Sequence, residues 1–131
     1  MSDNYSLIIK NGSCYIDGKL IKTDLGLSGK RIKKIGKIQL NSSKVFDATN
    51  KTVLPGIIDT QVHFREPGST NAEDLESGSR AAALGGVTSL FEMPNTNPPT
   101  SNLIEFEKKL QLAKDRMHSN YAFYFGATPE N

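Results

Sequence analysis

The chain has 131 residues, of which 37% are hydrophobic and 23% are charged, and its 16 basic and 14 acidic residues give a formal net charge of +2. This composition is typical of a folded globular protein and excludes a disordered or low-complexity chain. The balance of charge predicts no binding to nucleic acid or to an anionic membrane. A single cysteine excludes an internal disulfide framework, and the sequence has no apolar run of membrane-spanning length, so we expect a cytoplasmic protein.

Residues 1–51 consist of short apolar runs separated by turn signals, a pattern that predicts part of a small β-module. The clearest signal is Asp17-Gly18, which lies between two apolar runs and predicts a hairpin. Asn11-Gly12 predicts another turn.

Residues 52–131 alternate between strand and helix patterns, which predicts a parallel sheet with helical crossovers. The predicted elements are a strand at Thr52–Asp59, a helix that starts at Thr70 or Asn71 and ends at Gly85-Gly86, a strand at Val87–Met93, a helix that starts at Thr100 or Ser101, and a strand at Tyr121–Phe125.

The second predicted helix carries apolar residues at helical spacing, which predicts the face that covers the sheet. A coiled-coil seam is the alternative interpretation of this stripe. Its residues are Leu103, Phe106, Leu110, Ala113 and Met117.

The first predicted strand starts as a buried apolar run and ends in polar residues that a core would not contain. Because alternate side chains of an extended chain share a face, four polar side chains should point the same way. These are Asp59, Gln61, His63 and Arg65. Sites in parallel α/β sheets lie at the carboxyl ends of strands, so this face, together with Asn95 after the next strand, predicts one site for a cation and an anion.

Two motifs resemble the cyclic amidohydrolases, most closely the dihydroorotases of the longer bacterial type. After a Pro-Gly-x-x-Asp lead-in, the family pattern is Asp-x-His-x-His-x-Arg-Glu-Pro-Gly, and this chain has Asp-Thr-Gln-Val-His-Phe-Arg-Glu-Pro-Gly at residues 59–68. The second match covers residues 73–88 and continues through Met-Pro-Asn-Thr-Asn-Pro at residues 93–98.

The resemblance implies an α/β fold with the opening strands and helices of a (β/α)₈ TIM-like barrel, preceded by a small β-sandwich module. Residues 1–51 would be the N-terminal part of that module, and residues 52–131 the first βαβαβ portion of the barrel. A complete barrel typically needs about 250 residues. We therefore expect the chain to be the N-terminal part of a longer protein.

The resemblance also implies a metal-dependent hydrolase that interconverts dihydroorotate and N-carbamoyl-aspartate in pyrimidine biosynthesis. One or two zinc ions would be held by His63 and by further ligands, while Arg65 and Asn95 would bind the substrate. The family's proton-shuttling aspartate is expected beyond residue 131. No catalytic residue is therefore expected within the chain, which alone would be inactive.

Gln61 departs from the family pattern, since it stands where the family has its first histidine ligand. A neutral amide oxygen is a weaker zinc ligand than imidazole. Gln61 would coordinate weakly, hydrogen-bond a metal-bound water, or mark a site that has lost its metal, and these alternatives stay open. Asp59 is expected to fix the strand end or to accept a hydrogen bond from a histidine ring.

Alternatives remain for the roles of three site residues and for the function of the protein. His63 and Asn95 could be ordinary loop residues, and Arg65 could form a salt bridge with Glu66 or with a neighbouring loop. The protein could be an allantoinase- or dihydropyrimidinase-like enzyme. It could also be a non-catalytic scaffold that binds a partner such as aspartate transcarbamoylase, and a homo-oligomer is a further expectation.

Overall fold

The computed structural model describes residues 4–39 and 44–131, which belong to two compact units, Met1–Pro55 and Gly56–Asn131. Within the described residues, no helix combines the length and the apolar character needed to cross a membrane. The interpretation of residues 1–51 and 52–131 as functional domains stays a prediction.

The first unit is built on one mixed sheet of five strands in which β1 is central. Its strands are β1 (Leu7–Ile16), β2 (Lys19–Ser28), β3 (Arg31–Ile35), β4 (Val45–Asp47) and β5 (Thr52–Val53). Strands β1, β2 and β3 form an antiparallel meander, whereas β4 and β5 pair with β1 in parallel. Tyr5, Ile8 and Ile38 form the buried cluster of this unit.

The predicted hairpin at Asp17-Gly18 is confirmed, because Ile16 pairs with Lys19 across this two-residue turn. Asp17 has φ 49° and Gly18 has φ 79°, as a turn that follows the twist of the strands requires.

The predicted turn at Asn11-Gly12 is wrong, since both residues lie inside β1 at a β-bulge. The carboxylate of Asp24 explains the bulge. Its Oδ1 accepts a hydrogen bond from the Asn11 backbone N–H at 2.9 Å, which takes that group out of the strand ladder.

The second unit confirms the predicted order of strands and helices. It contains β6 (Ile57–Val62), α1 (Leu75–Leu84), β7 (Val87–Glu92), α2 (Leu103–Ala113) and β8 (Asn120–Phe123). The strands form a three-stranded sheet in the order β6-β7-β8, and both pairs are parallel. The expected first strand, Thr52–Asp59, is divided. Thr52–Val53 pair with β1 in the first unit, and β6 begins after Pro55-Gly56.

The core of the second unit lies between its sheet and its helices and contains Phe64, Leu75, Leu90 and Ala113. The Phe64 ring lies directly on Gly78 of α1, where an added Cβ would come within 2.4 Å of the ring. Any larger residue at position 78 would push the helix away. Phe64 is thereby held towards the core at the point where β6 ends.

Two expectations about burial are wrong. The apolar run of the first predicted strand is expected to be buried, yet Leu54, Ile57 and Ile58 are 62%, 56% and 61% exposed. Ile57 and Ile58 lie in β6, an edge strand of the three-stranded sheet. In α2, Leu103 of the predicted apolar stripe is exposed, while Lys109 is fully buried. The helix also ends at Ala113, so the stripe is too short for a coiled-coil seam.

The amino end of α1 is capped by Asp74 rather than by the predicted Thr70 or Asn71. Asp74 Oδ1 accepts the Ser77 backbone N–H at 2.7 Å, and Ser77 Oγ accepts the Asp74 backbone N–H at 3.1 Å. This reciprocal capping box satisfies two backbone donors at the helix start. The Ser77 backbone N–H and the Ser77 hydroxyl, which donates to Asp74 Oδ1 at 2.8 Å, also hold the pKa of the Asp74 carboxyl below its usual value.

Asp74→Ala should lower the free energy of unfolding by about 1 kcal/mol, the usual loss when a helix cap is removed. Chemical denaturation of the variant and the parent chain would measure the difference. Glu73→Ala is the matched control, because Glu73 precedes the cap and has no cap bond of its own in the described structure. An equal loss in both variants would contradict the capping role.

Candidate active site

Strands β6 and β7 end side by side, and the candidate site lies at this edge of the sheet. Val62 pairs with Glu92, and the Met93 backbone N–H donates to the Val62 carbonyl at 2.9 Å, which extends the pairing past the strand ends. Val62 and Phe64 pack against the core, whereas His63 and Arg65 are exposed. The alternation predicted from the sequence therefore separates core and site residues at this point.

His63 and Asn95 meet across the two strand ends, with His63 Nδ1 2.9 Å from Asn95 Oδ1. A carbonyl oxygen can only accept a hydrogen bond, so His63 Nδ1 carries the hydrogen in the neutral ring. Its Nε2 then has a free lone pair. An oxygen acceptor on the other ring nitrogen is the usual arrangement for a metal-binding histidine, because it fixes the tautomer and the ring orientation.

The loops that carry these residues are bonded to each other. The Asn97 backbone N–H donates to the Pro67 carbonyl at 3.1 Å. Gly68 has φ 120°, and a Cβ added to it would come within 3.0 Å of Asn97. A left-handed backbone at this close approach favours glycine. The loop after β6 is thus held against the loop after β7.

Arg65 has an exposed side chain that makes no hydrogen bond or ion pair within residues 4–39 and 44–131. The alternative of a salt bridge to Glu66 is wrong, because Glu66 is bound elsewhere. Arg116 donates to both of its carboxylate oxygens at 2.8 and 2.9 Å, and the Leu75 backbone N–H donates to Oε2 at 3.0 Å. The guanidinium of Arg65 is therefore available to an anionic ligand.

The side-chain carboxylate of Asp59 binds the backbone of Gln61. Asp59 Oδ1 accepts the Gln61 N–H at 3.0 Å, where a register shift interrupts the pairing between Asp59 and Val62. Asp59 therefore binds the strand end, and Asn95 accepts the hydrogen of the His63 ring. The side chain of Gln61 is exposed, and the described contacts do not separate its three alternative roles.

The sequence interpretation missed a buried ion pair behind the site, between Glu92 at the end of β7 and Lys109 in α2. Both side chains are 0% exposed. Burial raises the pKa of Glu92 to about 7, although the positive charges of Lys109 and His63 act against that shift, and burial lowers the pKa of Lys109. A carboxylate within an otherwise apolar strand was the available signal for this pair.

Comparison with known families decides the identity of the fold. The model of the amidohydrolase family matches residues 52–129, which is more than half of the chain. The chain belongs to the amidohydrolase family. The matched region includes almost all of the second unit and both motifs of the candidate site.

This amidohydrolase is similar to dihydroorotases along most of its length. It is 42% identical to the dihydroorotase of Lactobacillus gasseri over 122 residues, which cover 93% of this chain and 28% of that protein. It is 33% identical to the dihydroorotase of Thermococcus kodakarensis over 118 residues, which cover 90% of this chain and 29% of that protein. The chain thus spans less than a third of the length of these relatives.

Solved structures show that the fold is the opening part of a TIM-like barrel preceded by a β-module. The amidohydrolase chain matches an L-hydantoinase (dihydropyrimidinase) from Arthrobacter aurescens with a TM-score of 0.87 and 30% identity, covering 95% of this chain and 28% of that one. A D-hydantoinase from a Thermus species matches with a TM-score of 0.76 and 32% identity. The predicted fold class is confirmed.

The amidohydrolase family is generally metal-dependent, and the described residues fit part of a metal site. His63 offers one imidazole with a free Nε2, and Gln61 adds only a neutral amide. No group of three or more His, Cys, Asp or Glu side chains that could hold a metal ion occurs in residues 4–39 and 44–131. These residues therefore supply one good ligand and leave the remainder of a coordination shell to other groups.

Proposed function

We propose that the whole protein is a dihydroorotase-like hydrolase that opens and closes the cyclic amide of dihydroorotate, giving N-carbamoyl-aspartate. The observation that carries this proposal is the unpaired guanidinium of Arg65, two residues after the His63–Asn95 pair. The identities of 33% and 42% to two dihydroorotases support the same reaction.

Arg65 and Asn95 would recognise different parts of this substrate. The planar fork of Arg65 suits the free carboxylate of dihydroorotate, with two parallel charge-assisted hydrogen bonds. Asn95 uses Oδ1 to hold His63, while its Nδ2 makes no hydrogen bond among the described residues and can donate to a ring carbonyl. One residue would thus orient the histidine and the substrate together.

His63 would be the ligand that this chain offers to zinc, with Gln61 as a weak neighbour. A zinc ion held there would supply a bound water with a pKa of about 7 and a polarising charge for a carbonyl group. The chain's own residues hold the imidazole in one tautomer and leave Arg65 free for the substrate carboxylate. The other ligands and the proton-shuttling aspartate are not assigned within this chain.

Arg65→Ala should raise KM for dihydroorotate about 10- to 150-fold, because it removes a charge-assisted contact worth roughly 1.5–3 kcal/mol. Steady-state kinetics of the protein expressed from its complete reading frame would measure this change. Arg80→Ala is the matched control, since Arg80 lies on α1 and pairs with Glu76 away from the site. An unchanged KM in the Arg65 variant would remove the assignment.

A hydantoinase-, dihydropyrimidinase- or allantoinase-like enzyme is the second candidate, and the structural match to an L-hydantoinase favours it. The discriminating feature is charge, because dihydroorotate carries a carboxylate for Arg65 and an uncharged ring does not. Side-by-side assays on dihydroorotate, hydantoin and allantoin would decide between them. Faster turnover of an uncharged ring would overturn the leading proposal.

A non-catalytic scaffold is the third candidate, and Gln61 is the reason to consider it. Metal analysis and turnover assays of the complete protein would test it, because bound zinc with turnover would reject a scaffold. A cytoplasmic location, a homo-oligomer and an aspartate transcarbamoylase-type partner also stay predictions.

A further inference from the structure

The ammonium group of Lys109 lies at the centre of contacts with the loop that carries Asn95. Besides its ion pair with Glu92, Lys109 Nζ lies 3.2 Å from Thr100 Oγ1, 3.4 Å from the Met93 carbonyl oxygen and 3.5 Å from Thr96 Oγ1. It also lies 5.3 Å from the centre of the Phe123 ring. The three oxygen atoms that Lys109 contacts besides Glu92 all belong to the loop of residues 93–100, which carries Asn95.

Lys109 contacts the loop both before and after Asn95 in the sequence. Met93 and Thr96, which both contact the ammonium, flank the Pro94-Asn95 pair in the sequence. The loop is closed further by the Thr100 N–H, which donates to the Pro94 carbonyl at 2.9 Å, and by Thr96 Oγ1, which donates to the Pro98 carbonyl at 2.9 Å. The position of the Asn95 side chain therefore depends on a loop organised around one buried charge.

The burial of this charge is not explained by stability alone. Taking an ammonium and a carboxylate out of water costs several kcal/mol per ion, so a buried ion pair is weak evidence for a stabilising role. An apolar side chain at position 109 would fill the space between α2 and the sheet but would donate no hydrogen bonds to Met93, Thr96 or Thr100. The distinctive property of lysine here is its set of donors.

We propose that Lys109 is a positioning residue that holds the Met93–Thr100 loop so that Asn95 keeps His63 in the tautomer with a free Nε2. Glu92 neutralises the ammonium and leaves its remaining donors for the loop. The importance of that tautomer rests on the proposed function. The link from Lys109 to His63 can be tested without substrate or metal.

The test is nitrogen NMR of the histidine rings in the full chain labelled with ¹⁵N-histidine, at about pH 8.5, where imidazole side chains are neutral. The chain has two histidines, and His118 is an internal reference because its Nε2 lies 2.9 Å from Glu76 Oε1. We expect His63 to be protonated at Nδ1 and His118 at Nε2.

The decisive variant is Glu92→Gln/Lys109→Met, which removes the donors without leaving an unpaired charge. We expect His63 to lose its Nδ1–H preference and to move to a mixture of tautomers, while His118 stays unchanged. Thr100→Val, which removes the nearest loop contact and keeps the ion pair, should give a smaller shift of the same kind. Lys108→Met is the matched control, because Lys108 is an exposed neighbour on the same helix, and it should change nothing.

The outcomes separate this inference from the proposed function. An unchanged His63 tautomer in both Glu92→Gln/Lys109→Met and Thr100→Val would overturn the positioning role, whatever the activity of the protein. If the double variant does not fold, Thr100→Val alone decides. Failure of the complete protein to hydrolyse dihydroorotate would remove the proposed function and leave the NMR result standing.

Discussion

Lys109→Met should lower the free energy of unfolding by about 3–5 kcal/mol at about pH 8, because it leaves the Glu92 carboxylate buried without a counter-charge. Both side chains are 0% exposed, so water cannot replace the missing ammonium unless the structure opens. Urea denaturation of the variant and the parent chain would measure the loss.

Two further variants distinguish the loss of charge compensation from a loss of packing. Glu92→Gln/Lys109→Met should recover much of the stability, since it leaves no ionised group in the buried position. Lys108→Met should change the free energy of unfolding by less than about 0.5 kcal/mol, as is usual for exposed positions. Equal losses in the single and double variants would show that packing, not charge, determines the effect.

The stability that Glu92 contributes should fall as the pH rises from about 4.5 to about 7. Burial raises the pKa of its carboxyl from 4.5 to about 7 in the folded chain, against the opposing charges of Lys109 and His63. In this window the folded state holds the proton that the unfolded chain has released, so each increase in pH favours unfolding. At about 1.4 kcal/mol per pKa unit, the change is roughly 3 kcal/mol.

Glu92→Gln/Lys109→Met isolates this effect, because neither replacement can titrate and no buried ammonium is left without a counter-charge. Urea midpoints between about pH 4.5 and 8 should show a decline in the parent chain that the variant lacks. The control Glu105→Gln, at a carboxylate paired with Lys108 on α2, should keep the decline. The buried carboxylate of Asp24 has a lowered pKa, so its contribution is lost only as the pH falls below that window. The same slope in the parent and in Glu92→Gln/Lys109→Met would contradict the assignment.

The contribution of Lys109 to the free energy of unfolding changes with pH in the opposite direction, and it does so at alkaline pH. Burial lowers the pKa of its ammonium below the usual 10.5, so the folded chain releases this proton before the unfolded chain does. Its contribution to stability therefore rises as the pH increases from the folded pKa towards 10.5.

Local patterns in the amino-acid sequence were enough to predict the order of strands and helices, the Asp17-Gly18 hairpin and the parallel pairing of β6, β7 and β8. Alternation in the extended segment after β6 also placed His63 and Arg65 away from the core. The rule that sites lie at the carboxyl ends of parallel strands led to Asn95. These features follow from contacts within a few residues or from the general rules of parallel sheets.

Contacts between distant segments decided the rest. Asp24 withdraws the Asn11 N–H from the ladder and turns a predicted loop into a bulge within β1. Glu92 makes Lys109 a buried residue of α2, although the helical period of apolar residues favoured Leu103. Helical periodicity shows which residues share a face of the helix. Whether a charged residue is buried on that face depends on a partner that another strand or helix brings into contact with it.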